Sequence, residues 1–329
     1  MNQSQVLFKS SPVTLCLLGL GLVSVSFASI FIAFGEQQLS SNSIVFNRLW
    51  ITSIIYLIWL GFQQISQVFS SRNWLKQKLQ DNSSLTESKQ QNLLTQNSTW
   101  SLKNFALIIV LGFCFCANQI IWSWSLEHTS IANSTILHNL TPIFTIVGAR
   151  LFLKQQFDNQ FTWGALLSVV GAIAIEVEDL SFAFDRFQGD LAALVSAVLY
   201  SGYLLVINEL RNDLGIVNII LGCCLMGTFM VFPLLIIEKD ILFPQTIHAW
   251  LSVIGLVLVC QVLGQALIAY CLRAISVGIV SLSHLLCPCM SAVEAWFIFG
   301  EDLNTSNLLG FVTILLGLYV AVSGSTTRK

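Results

Sequence analysis

Residues 129–156, TSIANSTILHNLTPIFTIVGARLFLKQQ, and residues 275–302, ISVGIVSLSHLLCPCMSAVEAWFIFGED, lie 146 positions apart and share one plan: a histidine four residues ahead of a proline inside an apolar run. His138 and Pro142 align with His284 and Pro288. Carried outward without a gap, the same offset pairs Gln119 with Gln265, Ser130 with Ser276, Ala149 with Ala295, Gly164 with Gly310 and Gly171 with Gly317. A register held over that length marks an internal duplication, and two copies in membrane-type sequence are a common blueprint for secondary transporters.

The composition around the duplication is that of a membrane protein. Of 329 residues, 55% are hydrophobic and only 10% charged, with a mean hydropathy of +0.76. A water-facing surface needs more charge than this. Charge-poor runs lie near residues 13–34, 44–62, 104–125, 130–149, 161–177, 190–208, 216–237, 249–272, 277–299 and 307–324, each close to the roughly 20 residues a helix needs to cross a bilayer. Strand alternation is absent, and helices satisfy every backbone group in lipid. The sequence therefore predicts an all-α integral membrane protein with ten transmembrane helices, arranged as two five-helix repeats of inverted topology. The first run follows Lys9 but exceeds the 7–15 residues of a signal-peptide core and lacks a small-residue cleavage site, so it reads as the retained first span. The nine cysteines are scattered through the spans and read as small apolar filler rather than disulfides.

If the N-terminus is cytoplasmic and ten spans alternate, twelve basic residues fall inside, and Arg48, Arg186 and Lys239 fall outside, a positive-inside distribution with both termini in the cytoplasm. Acidic residues lean outward, with Glu176, Glu178, Asp179, Asp185 and Asp190 around the external connection after the fifth span. An odd number of spans per copy requires the second copy to enter upside down, and the charges do swap sides: external Glu127 aligns with internal Arg273. The organisation expected is a cytoplasmic N-terminus (1–12), a first repeat (13–177) carrying a polar cytoplasmic insert (63–103), an external connection (178–189), a second repeat (190–324) and a cytoplasmic C-terminus (325–329). The insert is rich in Gln, Asn and Ser. It reads as a solvated tether, disordered or partly helical around Trp74 to Leu79. The membrane expected is the plasma membrane.

The segments TSIANSTILHNLTPIFTIVGARLFLKQQF (129–157) with WGALLSVVGAIAI (163–175), and SVGIVSLSHLLCPCMSAVEAWFIFGEDL (276–303) with LLGFVTILLGLYVA (308–321), resemble the two repeat units of the drug/metabolite transporter superfamily, in its ten-helix EamA-like branch. GDLAALVSAVLYSGYLLVINELR (189–211) is similar to the opening of the second unit, and Arg48 in VFNRLW to the arginine that begins the family's second helix. The sequence departs from the pattern in the first span, which lacks a tryptophan–glycine pair, and at Gln155, where an acid often closes the fourth. The resemblance implies a central cavity formed chiefly by spans 1, 3, 4, 6, 8 and 9, with spans 5 and 10 peripheral.

Polar residues inside apolar spans point to a site, because they are costly in hydrocarbon unless they face a cavity or one another. The substrate-binding candidates are Gln119, His138, Asn139, Gln265, His284 and Glu294. The histidines fit either a cavity lining or hydrogen bonds that staple neighbouring helices; Glu294 fits a proton carrier, a contact for a cationic group, or a snorkelling acid. Pro142 and Pro288 are hinge or kink candidates, each removing a backbone donor in mid-span and loosening the carbonyl one turn earlier. Gly164, Gly171, Gly310 and Gly317 recur every seven residues within each pair and read as helix-packing faces. Ser24, Ser26, Ser29, Tyr200 and Tyr203 are reserve cavity groups, and Arg48 reads as an interfacial anchor.

No ATP-binding loop occurs, so direct ATP-driven transport has no support within the chain. No metal or cofactor is expected, since no clustered ligand spacing accompanies the histidines. The function expected is that of a secondary active transporter, a permease or exporter moving small polar or zwitterionic metabolites such as amino acids by alternating access. The alternatives are a non-transporting membrane receptor or scaffold, or a membrane-embedded enzyme, for which the Ser281 and His284 pair lacks an orienting third group. The partners expected are a small-molecule substrate and membrane lipid, with no nucleic acid; monomer and homodimer both fit.

Overall fold

The computed structural model describes residues 12–80, 101–176, 187–300, 305–323 and 326–328. The expected external connection, with Glu178, Asp179, Asp185 and Arg186, lies largely outside the described residues, as do Glu301, Asp302, the N-terminal segment and residues 81–100 of the insert.

The chain is helical nearly throughout: α1 (Pro12–Ser26), α2 (Ala28–Gly35), α3 (Ser41–Gln80), α4 (Leu102–His128), α5 (Ile131–His138), α6 (Thr141–Phe152), α7 (Asn159–Glu176), α8 (Phe187–Leu210), α9 (Ile216–Glu238), α10 (Ile247–Gly255), a π-helical segment (Leu256–Gln265), α11 (Ala266–Cys271), α12 (Val277–Ser283), α13 (Leu286–Phe299) and α14 (Thr305–Ser323). Short polar residues set several starts. Ser101, Ser130 and Thr246 accept from the backbone N–H of Asn104, Asn133 and Ala249, satisfying donors that a first turn leaves free. Gly300, with φ 71°, closes α13 in the left-handed conformation that glycine adopts without strain.

Among the described residues, seven helices or helix pairs are long and apolar enough to cross a membrane: Pro12–Gly35, Ser41–Gln63, Leu102–His128, Phe187–Leu210, Ile216–Glu238, Ile247–Cys271 and Val277–Ile298. The three other expected spans are also helical. Each departs from a long uninterrupted apolar rod: α5 and α6 are split, α7 has only 18 residues, and the apolar part of α14 is the shorter stretch Leu308–Ser323. Large apolar side chains such as Phe62, Trp163, Phe229, Phe297 and Tyr319 lie on the outside of the bundle, a surface that suits lipid rather than water.

One feature departs from the expected all-helical plan. Strands β1 (Gln155–Phe157) and β2 (Thr326–Arg328) pair antiparallel, with Gln156 opposite Thr327, so the connection after α6 and the end of the chain lie together. Lys103 Nζ also meets Glu209 Oε1 at 2.9 Å, bringing the start of α4 to the end of α8. In addition, α3 runs on to Gln80, so the first part of the expected tether continues the second span as helix.

The packing is paired. α7 lies antiparallel along α14 in the most extensive contact of the fold, α4 runs against α8, and α1 with α2 runs against α10, the π segment and α11. Glycines permit the closest approach: a Cβ on Gly171 would stand 2.8 Å from Ile314 N and 3.0 Å from Gly310 O, and one on Gly164 would overlap Ala321 N. Ser168 Oγ donates to Gly164 O at 3.0 Å and lies 3.3 Å from Ile314 O across the interface. The nine cysteines form no disulfide among the described residues, and most are buried among apolar neighbours.

Candidate functional site

Two helix breaks organise the middle of the bundle. α5 ends at His138 and α6 begins at Thr141; α12 ends at Ser283, His284 caps it, and α13 begins at Leu286. The expected mid-helix kinks are thus interruptions, and the prolines sit in the first turn of the segment that follows, where a missing N–H leaves no helical bond unmade. The carbonyls that a proline leaves without a helical donor are occupied here. His138 O accepts from Thr141 Oγ1 at 2.7 Å, and His284 O accepts from the Cys287 N–H at 2.9 Å.

Both histidines face one tyrosine. The Tyr200 ring, from α8, lies 5.9 Å from His138 and meets His284 edge-on at 5.6 Å. His138 also stacks on Trp122 at 4.9 Å. Its Nδ1 lies 2.8 Å from Ser196 Oγ, whose own hydrogen goes to Ala193 O at 2.7 Å, so the imidazole is the donor. His284 Nδ1 donates to Val280 O at 2.8 Å, because a carbonyl can only accept. This leaves His284 Nε2 as a buried acceptor with no partner among the described residues.

The aromatic line continues from Tyr200 to Tyr203 (5.7 Å) and from Tyr203 to Phe115 (5.1 Å). Tyr203 donates its hydroxyl to Gln265 Oε1 at 3.2 Å, and Arg48 lies over the Phe115 ring with Cζ 5.5 Å from its centroid. Arg48 is a correction to the sequence expectation. It is 5% exposed, two turns into α3, and its Nε donates to Gln261 Oε1 at 2.7 Å inside the π-helical segment, so it is no interfacial anchor. A π-helix of this length is uncommon and such turns gather at functional sites; here it presents Gln261 to Arg48 and ends at Gln265.

The remaining candidates lie in three separate places. Gln119 lines a cleft of about 70 Å³ together with Arg48, Trp122, Ser123 and Glu36. That volume admits a few water molecules, against the roughly 300 Å³ or more of a site that encloses a metabolite. Glu294, on α13, is 9% exposed; its Oε1 accepts from Ser26 Oγ at 2.5 Å where α1 gives way to α2, and its Oε2 has no partner among the described residues. The acid is therefore buried against α1 rather than snorkelling at a rim. Asn139 occupies the break after α5 with its Nδ2 buried and unpartnered. Among the described residues no group of three or more His, Cys, Asp or Glu could hold a metal ion.

Trp122, Phe115, Ser196 and Gln261 escaped the sequence expectation. Gln261 carried a signal, since it precedes Gln265 by one helical turn on an apolar span. The aromatic residues carried none, because aromatic side chains are ordinary in membrane helices.

The family model of the EamA-like transporter family matches this sequence twice, over residues 12–177 and 187–323. The pseudopaline exporter CntI of Pseudomonas aeruginosa is 24% identical over 231 residues, 70% of this chain and 78% of CntI. A putative UDP-sugar transporter of Dictyostelium discoideum is 21% identical over 155 residues, 47% of this chain and 40% of that protein. A solved crystal structure superimposes with a TM-score of 0.72 over 95% of this chain and 97% of that one, at 13% identity, which shows a shared fold.

Proposed function

The chain belongs to the EamA-like transporter family, and from that premise we propose that it is a secondary active carrier of small polar or zwitterionic metabolites, working by alternating access between two inverted five-helix repeats. The observation that carries this reading is the convergence of His138 and His284 on one ring. These residues occupy equivalent positions 146 apart, each sits at a helix break, and both meet Tyr200. Equivalent breaks in both halves are elements at which each half can bend against a shared centre.

The ten-span, two-repeat arrangement is supported by the interface of α7 with α14. Gly164 meets Gly317 there, and Gly171 meets Gly310, so each glycine contacts the partner of its own equivalent. Such reciprocity is what a two-fold axis produces. Both termini are placed in the cytoplasm of a cell whose plasma membrane holds the protein; the pairing of β1 with β2 and the Lys103–Glu209 ion pair agree with that topology, since each joins segments assigned to the inner side.

Gln119, His138, Asn139, Gln265, His284 and Glu294 are the proposed substrate-facing groups, with Pro142 and Pro288 marking the hinges. Glu294 is the candidate proton carrier. Uptake of labelled amino acids and related organic solutes into proteoliposomes, with and without a pH gradient, tests the carrier reading. Accumulation that depends on the reconstituted protein is expected, and no movement across a broad panel sinks it.

A further inference from the structure

The cleft bordered by α2, α3, α4 and the π segment contains a cation that makes no salt bridge among the described residues. Arg48 is 5% exposed, and no carboxylate among the described residues lies within salt-bridge distance of it; the ion pair found among them is Lys103 with Glu209. One edge of the guanidinium is committed through Nε to Gln261, and one face rests on Phe115. The edge carrying the two terminal amino groups remains, and that fork matches the two oxygens of a carboxylate. Withdrawing a guanidinium from water without a counter-ion is costly, so an anion delivered to this point gains from an arrangement the fold has already made.

A second, independent feature of the same cleft points the same way. Trp122 lines it, and the indole N–H is buried with no partner among the described residues. An unpaired cation and an unpaired neutral donor lining one cleft both call for an acceptor. Glu36, the other charged residue of the lining, disfavours a second negative charge on the ligand, and the volume of about 70 Å³ takes the carboxylate group itself rather than the body attached to it.

We propose that Arg48 is the receptor for the single carboxylate of an organic acid or zwitterion, with the Trp122 indole N–H donating to the same group. The inference deepens the carrier reading and rests on it. It assigns the carboxylate end of the solute to α3 and α4, leaving the histidine and tyrosine cluster to contact the remainder once the bundle opens. A doubly charged phosphate ester is a poorer fit, because nothing in the lining supplies a second cation.

The test is thermal unfolding of the purified full-length protein with sodium hexanoate, sodium benzoate and L-leucine, each set against its neutral-headed counterpart: hexanamide, benzamide and L-leucinamide. At least one carboxylate is expected to raise the wild-type midpoint saturably while its amide does not. Arg48→Gln abolishes the shift, Arg48→Lys weakens half-saturation by about tenfold because the fork is lost, and Trp122→Phe weakens it while keeping the ring. No shift by any carboxylate, equal shifts by acids and amides, or a shift that survives Arg48→Gln overturns the proposal. Should Arg48→Gln fail to fold, the other two variants decide, and unchanged half-saturation in both overturns it. Uptake of the same six compounds into proteoliposomes separates the two readings. An Arg48-dependent shift with no transport sinks only the carrier, whereas transport indifferent to Arg48 and to the carboxylate sinks only this inference.

Discussion

Ser168 Oγ lies 3.3 Å from the carbonyl oxygen of Ile314, and the two residues stand 146 positions apart, the same offset that aligns the two copies in the sequence. The proposed two-fold relation between the copies accounts for a residue that meets its own equivalent. The glycines on either side are related reciprocally instead, Gly164 lying against Gly317, the equivalent of Gly171, and Gly171 against Gly310, the equivalent of Gly164.

At this interface a methyl group matters. Gly171→Ala would put a Cβ 2.8 Å from Ile314 N, backbone that cannot swing aside, at a cost of about 1–3 kcal/mol. Gly19→Ala, with nothing within 4 Å of the added carbon, is the matched control. Thermal unfolding in detergent should show a midpoint several degrees lower for the first and no loss for the second. Equal midpoints would mean that close approach of α7 and α14 is not needed for stability.

The histidines can be separated from simple staples. His138 makes one bond to a neighbouring helix, at Ser196, and His284 bonds only to Val280 O on its own helix; an interhelical bond in a membrane bundle contributes about 0.6 kcal/mol. That corresponds to roughly a threefold effect. His138→Ala and His284→Ala should each lower transport by more than this while leaving the amount of folded, inserted protein unchanged. Loss of transport in proportion to loss of folded protein would return both residues to a structural role.

Ser26 Oγ donates to Glu294 Oε1 at 2.5 Å, a buried side-chain bond between α1 and α13. Glu294→Gln keeps a hydrogen-bonding group of similar size and removes the ionisable one. The expected result is transport that no longer responds to a pH gradient across the proteoliposome membrane. A response identical to the wild type removes Glu294 from the coupling step.

The prolines are expected to affect rate more than binding. Pro142→Ala restores an N–H, but His138 O is already held by Thr141 Oγ1 at 2.7 Å, so the break persists with less constraint on its angle. Turnover should fall severalfold with the half-saturating substrate concentration unchanged. A change confined to half-saturation would place Pro142 at the binding surface instead of a hinge.

Much of the architecture was legible in residue order alone. Apolar run lengths and the 146-residue register identified helices, duplication and the glycine faces, because hydrocarbon thickness and helical period leave a direct imprint on residue order. His138, His284, Gln265 and Glu294 stood out as polar groups at membrane depth, where each requires a reason. Arg48 was misread for a comparable cause. From sequence, a charge near a span's end has two outcomes, snorkelling outward or turning inward, and nothing in VFNRLW chooses between them.

That choice belongs to the tertiary structure. It was made by Gln261, which the π-helical segment turns toward Arg48, and by Phe115, which α4 slides beneath the guanidinium. The convergence of both histidines on Tyr200 has the same origin, since contacts among α5, α8 and α12 depend on how helices pack rather than on any period within them. The sequence by itself determined that this protein lives in a membrane, is built from a repeated helical unit and carries a small set of polar residues at depth, because those properties are local or periodic. Which of these residues meet, and that Arg48 makes no salt bridge among the described residues, depends on the distances between helices, and these were decided only by the fold.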